Sequence, residues 1–230
     1  MLVIGHPPPS EDFSLRSNVQ RIIIFANGEL PNLDKTRALI QKDDYIICAD
    51  GGTRHALALG IKPDLIIGDM DSVEKGQLQK LRQADVSMEL FPHDKNETDL
   101  ELALHRAMEL NPKQIIIVAA LGGRLDQTLA NIILLTGPQL SKFETRLDDG
   151  VEEIFFCRDQ TQVLGRSGDL VSLIPWGGPV SEVQTTDLRW ALRKETLYPN
   201  KTRGISNEMT SDTAAISIGS GLLLVVHRRT

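Results

Sequence analysis

Asp64-Leu65-Ile66-Ile67-Gly68-Asp69-Met70-Asp71-Ser72 is a short apolar run that stops at two carboxylates. Leu65, Ile66 and Ile67 show no polar alternation, the pattern of a strand covered on both faces, as in a parallel sheet. Gly68 removes a side chain where the strand leaves the sheet, so a ligand can approach the backbone there. Asp69 and Asp71 are two apart. In extended chain that spacing points both the same way, with Cα atoms roughly 6.6 Å apart and Met70 turned away. Two carboxylates so placed can lean on one Mg²⁺, which takes oxygen ligands at about 2.1 Å and keeps waters and phosphate oxygens on its other positions. A solvated turn after a strand has the same letters, so the meaning of the pair depends on its company.

Working outward, the same pattern recurs. Residues 21–26 and 45–49 read as strands, closed by Asn27-Gly28 and by Asp50-Gly51-Gly52. Short helices are expected over 35–41, 53–59 and 74–83, and a weaker strand over 88–91. That strand runs into Pro92-His93-Asp94-Lys95-Asn96-Glu97-Thr98-Asp99. The following helix places Leu100, Ala103, Leu104, Ala107 and Met108 on one face. Residues 114–121 form the most apolar strand, ending at Gly122-Gly123-Arg124-Leu125-Asp126, where a helix opens with Leu125, Leu129 and Ile133 in register. Alternating strand and helix predict an α/β fold: an N-terminal three-layer α/β/α domain with a mostly parallel sheet.

Past Phe143 the rhythm changes to short alternating runs, such as Leu170-Val171-Ser172-Leu173-Ile174, separated by Asp148-Asp149-Gly150, Gly177-Gly178-Pro179 and Gly219-Ser220-Gly221. These predict a C-terminal all-β sandwich or roll domain. The expected division is a flexible arm over residues 1–18, the α/β domain over 19–146 and the β domain over 147–230.

The 230 residues are 41% hydrophobic and 24% charged, ordinary for a soluble globular protein. A net charge of −6 argues against an electrostatic grip on nucleic acid or an anionic membrane. Cys48 and Cys157 lie in apolar runs without metal-ligand spacing, as buried free thiols do in a reducing compartment. Met1-Leu2-Val3-Ile4 is broken by Gly5-His6-Pro7-Pro8-Pro9, too soon for a signal peptide or membrane anchor, so a cytoplasmic location is expected.

In an open parallel sheet, ligands bind outside the carboxyl ends of the strands. Four strands here end in related chemistry: Asp50-Gly51-Gly52, Asp69-Met70-Asp71, the Asp94–Asp99 loop and Gly122-Gly123-Arg124-Leu125-Asp126. Singly, each has a plain reading. The glycine pairs can be turns, Arg124 a surface charge, and Thr98-Asp99-Leu100-Glu101 has capping-box spacing. Together, carboxylates with Lys95 and Arg124 at helix amino termini suit a metal-bound polyphosphate. Neither a Walker A loop nor a dinucleotide fingerprint occurs, so metal and side chains must handle the phosphates.

With these motifs in place, the chain resembles the thiamine pyrophosphokinase family. The resemblance is carried by Ala49-Asp50-Gly51-Gly52, Gly68-Asp69-Met70-Asp71-Ser72, the run from Asp94 to Leu104, Gly122-Gly123-Arg124-Leu125-Asp126-Gln127, Leu188-Arg189-Trp190-Ala191-Leu192 and Gly204-Ile205-Ser206-Asn207-Glu208. It implies transfer of diphosphate from ATP to the hydroxyethyl group of thiamine, giving AMP, with ATP and Mg²⁺ bound in the first domain and thiamine in the second. It implies that Asp69, Asp71 and Asp99 hold Mg²⁺ with Asp50 close by, and that Asp71 or Asp99 accepts the hydroxyl proton. Gly51, Gly52, Ser72, Lys95, Asn96, Thr98 and Arg124 fall on the ATP and phosphate side, and Asp126, Gln127, Trp190, Ser206 and Asn207 on the thiamine side. It also implies a homodimer with each active site shared between subunits. The proline-bearing amino-terminal arm has no counterpart in the resemblance.

Other readings compete. In an aspartyl-phosphate phosphatase the Asp-x-Asp motif sits on the first strand, whereas here it follows the third. A diphosphokinase acting on a pterin alcohol is nearer, and the Trp190 and Gly204–Glu208 segments favour thiamine over it. A sensing module would not need the acidic set.

Overall fold

The computed structural model describes residues 19–71, 73 and 75–230, so the arm over residues 1–18 and Ser72 lie outside the described residues. The first half runs β1 (Arg21–Phe25), α1 (Leu33–Leu39), β2 (Tyr45–Ala49), α2 (Thr53–Ala58), β3 (Leu65–Gly68), α3 (Lys75–Gln83), β4 (Ser87–Leu90), α4 (Asp99–Glu109), β5 (Gln114–Val118) and α5 (Leu125–Leu134). The second half is β6 (Glu144–Asp148), β7 (Glu152–Cys157), β8 (Gln160–Leu164), β9 (Leu170–Pro175), β10 (Val180–Thr186), β11 (Arg193–Leu197), β12 (Asn207–Glu208), β13 (Thr213–Ser217) and β14 (Leu223–Arg228).

Strands β5, β1, β2, β3 and β4 pair in parallel in that order. They are apolar along their length because both faces are covered. On β1, Ile22 and Ile24 pack with Leu100, Ala103, Leu104 and Ala107 of α4, while Ile23 and Phe25 pack with Ala56 of α2 and Leu81 of α3. The alternation of side chains along a strand therefore builds the three layers. The apolar face expected of α4 is buried as predicted, apart from Met108, which is half-buried.

The apolar stripe that the sequence puts in register on α5 faces outward. Leu125, Leu129 and Ile133 are 73%, 44% and 52% exposed. The helix is held instead through Ile132 and the following Leu135, both in the core. Helical spacing found an apolar stripe, but α5 carries two.

Strand β6 pairs in parallel with β5 and antiparallel with β7. Ten strands thus form one sheet, in the order β12-β9-β14-β7-β6-β5-β1-β2-β3-β4. The boundary expected between residues 146 and 147 falls inside β6. Beyond it, the antiparallel end of this sheet packs on a second sheet, β11-β10-β13-β8, around Val171, Leu173, Val183, Ile216 and Val225. That arrangement is the expected β-sandwich. Among the described residues, no helix is long and apolar enough to cross a membrane.

Candidate active site

The parallel strands all end on one side of the sheet, and a cleft of about 740 Å³ lies there. Each strand delivers a piece of it: Asn27, Gly28 and Glu29 after β1, Asp50 after β2, Asp69 after β3, His93, Lys95, Thr98 and Asp99 between β4 and α4, and Gly122, Gly123 and Arg124 after β5. This is the edge where open α/β sheets take ligands.

Asp50 is buried and has φ 38°, a left-handed conformation that costs a non-glycine residue energy and that tight packing must hold. Gly68 makes the packing possible. A Cβ at Gly68, whose φ is +147°, would stand 2.8 Å from Asp50 Cβ and 3.2 Å from Asp99 Oδ1. Without a side chain there, carboxylates from the ends of β2 and the start of α4 can sit beside the end of β3. Gly51 and Gly52 serve a different end. A Cβ on Gly52 would lie 2.0 Å from Phe25 O, and one on Gly51 2.5 Å from the Asn27 side chain. Both glycines let this turn pack on the end of β1, and neither lines the cleft.

Asp69-Met70-Asp71 is not extended, as its spacing suggested. Met70 has φ 62°, and the Asp71 N–H donates to Asp69 Oδ1 at 3.1 Å. This small turn, rather than strand alternation, gathers the two carboxylates. The hydrogen bond from Asp71 N–H holds the Asp69 carboxyl below its ordinary pKa, aided by the charges of Lys95 and His93 and opposed by slight burial. Asp69, Asp71 and His93 each offer one ligand atom within 4.8 Å of the others. Two carboxylate oxygens and an imidazole nitrogen are a donor set that fits a divalent cation.

Asp99 opens α4. Thr98 caps that helix, its Oγ1 accepting from Glu101 N–H at 3.2 Å, so half of the expected capping box is formed. Lys95 Nζ lies 2.9 Å from Asp99 Oδ1 and also donates to Pro92 O at 3.3 Å. Arg124 grips Asp126 with two hydrogen bonds, 3.1 and 2.5 Å, on an exposed surface. The pair holds the Asp126 carboxyl below its usual range. Gln127 lines the cleft, whereas Asn96 and Asp126 do not.

Of the five positions expected on the thiamine side, Trp190, Ser206 and Asn207 lie in the β-sandwich, and none of these three lines this cleft. Trp190 is 50% exposed, which excludes a core role, and the Arg189 guanidinium lies 5.0 Å from its ring centre. Asn207 is only 2% exposed. Its Oδ1 accepts from Trp190 N–H and Glu208 N–H, and its Nδ2 donates to Trp190 O. The amide is thus committed to fixing the Trp190 segment. Ser206 has φ 54° and its N–H donates to Ser172 Oγ.

Several cleft residues were not anticipated. The sequence marks Asn27 and Gly28 only as the close of a strand and Glu29 not at all, although the carboxyl-edge rule applies to β1 as much as to β3. Arg54 and His55 bind the Asn27 and Gly28 carbonyl oxygens and pin that loop. Burial pushes the His55 pKa down. Asn131 holds Ala120 O from the opposite wall. His93 stood in a polar loop with nothing in its spacing to mark it.

Comparison with known proteins agrees with both halves of this description. Residues 36–147 match the family model for the thiamin pyrophosphokinase catalytic domain, and residues 158–223 that for the thiamin pyrophosphokinase vitamin B1 binding domain. Thiamine pyrophosphokinase of Bacillus subtilis (strain 168) is 29% identical over 182 residues, 78% of this chain and 85% of that protein. Thiamine pyrophosphokinase 1 of Oryza sativa subsp. japonica is 25% identical over 248 residues, 97% of this chain and 92% of that protein. The crystal structure of the Bacillus subtilis enzyme superposes with a TM-score of 0.82 at 26% identity, covering 91% of this chain and 99% of that one. That of thiamin pyrophosphokinase from Geobacillus thermodenitrificans gives 0.80 at 26%, covering 92% and 98%.

Proposed function

The chain belongs to the thiamine pyrophosphokinase family, and from that membership we infer that it transfers diphosphate from ATP to the hydroxyethyl oxygen of thiamine, releasing AMP. One observation carries this reading: a cleft of carboxylates and cations at the strand ends lies in the same chain as a vitamin B1 binding domain. That second match also favours thiamine over a pterin alcohol. The position of Asp69-Met70-Asp71 after the third strand counts against a phosphatase.

The chemistry asks for positioning and charge rather than a covalent intermediate. The thiamine hydroxyl oxygen attacks the β-phosphorus of ATP as the bond from that phosphorus to the α-phosphate oxygen breaks. Mg²⁺, when bound, offsets charge on the phosphate oxygens. In this reading Asp69, Asp71 and Asp99 hold it, with Asp50 close by. Lys95 exchanges its Asp99 partner for phosphate oxygens, and Arg124 turns from Asp126 towards the same charge. Asp71 or Asp99 takes the hydroxyl proton.

The protein acts as a homodimer in which each cleft receives thiamine against Trp190 of a second copy. Two facts support this: Trp190 is exposed but absent from the cleft of its own chain, and the apolar stripe of α5 begins beside Arg124 and is uncovered. A cytoplasmic location is supported by two free, buried thiols, Cys48 and Cys157.

The test is incubation with ATP, Mg²⁺ and thiamine. AMP and thiamine diphosphate should appear in equal amounts. ADP with thiamine monophosphate, or inorganic phosphate alone, would overturn the assignment.

A further inference from the structure

We propose that His93 is a ligand of the divalent cation in the cleft, making this a mixed carboxylate–imidazole site that favours Mn²⁺ and Co²⁺ over Mg²⁺. The proposal deepens the function above and rests on its reading of Asp69 and Asp71 as metal-holding residues.

Sheet register delivers the imidazole. β4 is the edge strand beside β3, with Gly68 opposite Leu90, and the pairing continues through a hydrogen bond from Phe91 N–H to Gly68 O. The two chains therefore leave the sheet side by side. One turns at once through Met70 and brings Asp69 and Asp71 together, while the other reaches His93 two residues after Phe91. The result is one ligand atom from each of three side chains, all within 4.8 Å of one another. Asp71 and His93 are exposed and Asp69 half-buried, so the side chains have room to close on an ion while its remaining positions stay open to phosphate oxygens.

The donor types set the preference. Mg²⁺ is a hard ion that takes oxygen ligands and gains little from imidazole. Affinity for nitrogen-containing sites rises from Mn²⁺ to Co²⁺ and beyond. A carboxylate-only site at these strand ends would discriminate less. The competing role for His93 is that of a countercharge, an imidazolium facing Asp69, and it makes the opposite prediction for metal.

The experiment uses the full, tag-free protein loaded with Mn²⁺ or Co²⁺ alone, so it does not depend on turnover. Pulsed EPR of the Mn²⁺ form should show coupling to an imidazole nitrogen that disappears in His93→Gln. Equilibrium titration should show Mn²⁺ and Co²⁺ affinity falling about tenfold or more in His93→Gln, with Mg²⁺ affinity changed far less. No nitrogen coupling in the parent protein, or Mn²⁺ and Co²⁺ affinities unaltered by the substitution, would overturn the proposal. Circular dichroism checks that the variant is folded, which an exposed loop position favours. Asp69→Asn separates the two levels. It should weaken all three metals, and if it leaves Mg²⁺ binding intact, the metal reading of the cleft fails along with His93. Formation of AMP stands or falls on its own.

Discussion

Helices α4 and α5 follow successive strands of the chain, line the same cleft and each carry apolar residues at helical spacing, yet they spend those residues differently. α4 buries Leu100, Ala103, Leu104 and Ala107 against β1, β2 and β3. α5 keeps only Ile132 of its helical residues fully buried and exposes Leu125, Leu129 and Ile133. The caps differ too: Thr98 holds the start of α4, whereas no side chain caps α5 at Arg124. A helix apolar on two sides has one side unaccounted for in the single chain. α4 is a piece of the monomer's core, and α5 is a piece of the monomer's core that also offers a surface.

The sharpest test of that contrast removes one leucine from α4. Leu104→Ala should cost about 2–5 kcal/mol of folding stability, because Leu104 is buried and the cavity cannot fill. A loss indistinguishable from a surface change, measured by urea unfolding, would break the contrast on its α4 side. The caps give a smaller effect. Thr98→Ala should cost about 1 kcal/mol, since Glu101 N–H loses its acceptor. Arg124→Ala should leave stability unchanged by the same measurement, and equal losses would remove the distinction between the helix starts. Smallest of all is the fold effect on the outer stripe. Leu129→Gln combined with Ile133→Gln should alter monomer stability by no more than about 1 kcal/mol. Sedimentation should nevertheless show the pair abolishing the proposed dimer. A large loss of stability with unchanged association would mean that the stripe is needed within one chain.

Much of the fold could be read from sequence because buried parallel strands are apolar without alternation. Ile22-Ile23-Ile24 and Ile115-Ile116-Ile117 announce themselves in this way. The stripe of α5 was legible as a stripe but not as an outward one, since spacing records which residues share a face and not what covers it. The candidate site was legible where polar chemistry was concentrated: Asp69, Lys95 and Asp99 line the cleft, and Asp71 lies beside Asp69. How the two aspartates meet was not, because the left-handed turn at Met70 replaces the extended geometry that two-residue spacing implies. His93 and the Asn27–Glu29 corner are joined to the site only through neighbouring strand ends. The junction of the halves was hidden for a similar reason. β6 pairs on both edges, and near it His227 sits between Glu153 and Asp169, which are 74 and 58 residues away in sequence.

The central claim is that phosphate chemistry in one copy meets thiamine held by another. Asp71→Asn removes a charge from the phosphate side, and Trp190→Ala removes an exposed ring from the thiamine side, so each homodimer should be folded and inactive. Mixing the two under verified subunit exchange is the direct measurement. In a heterodimer with shared sites, one cleft carries both lesions and the other carries neither, so AMP formation should return. If Asp71 and Trp190 of the same chain serve one cleft, every heterodimer site keeps one lesion, and no activity will appear.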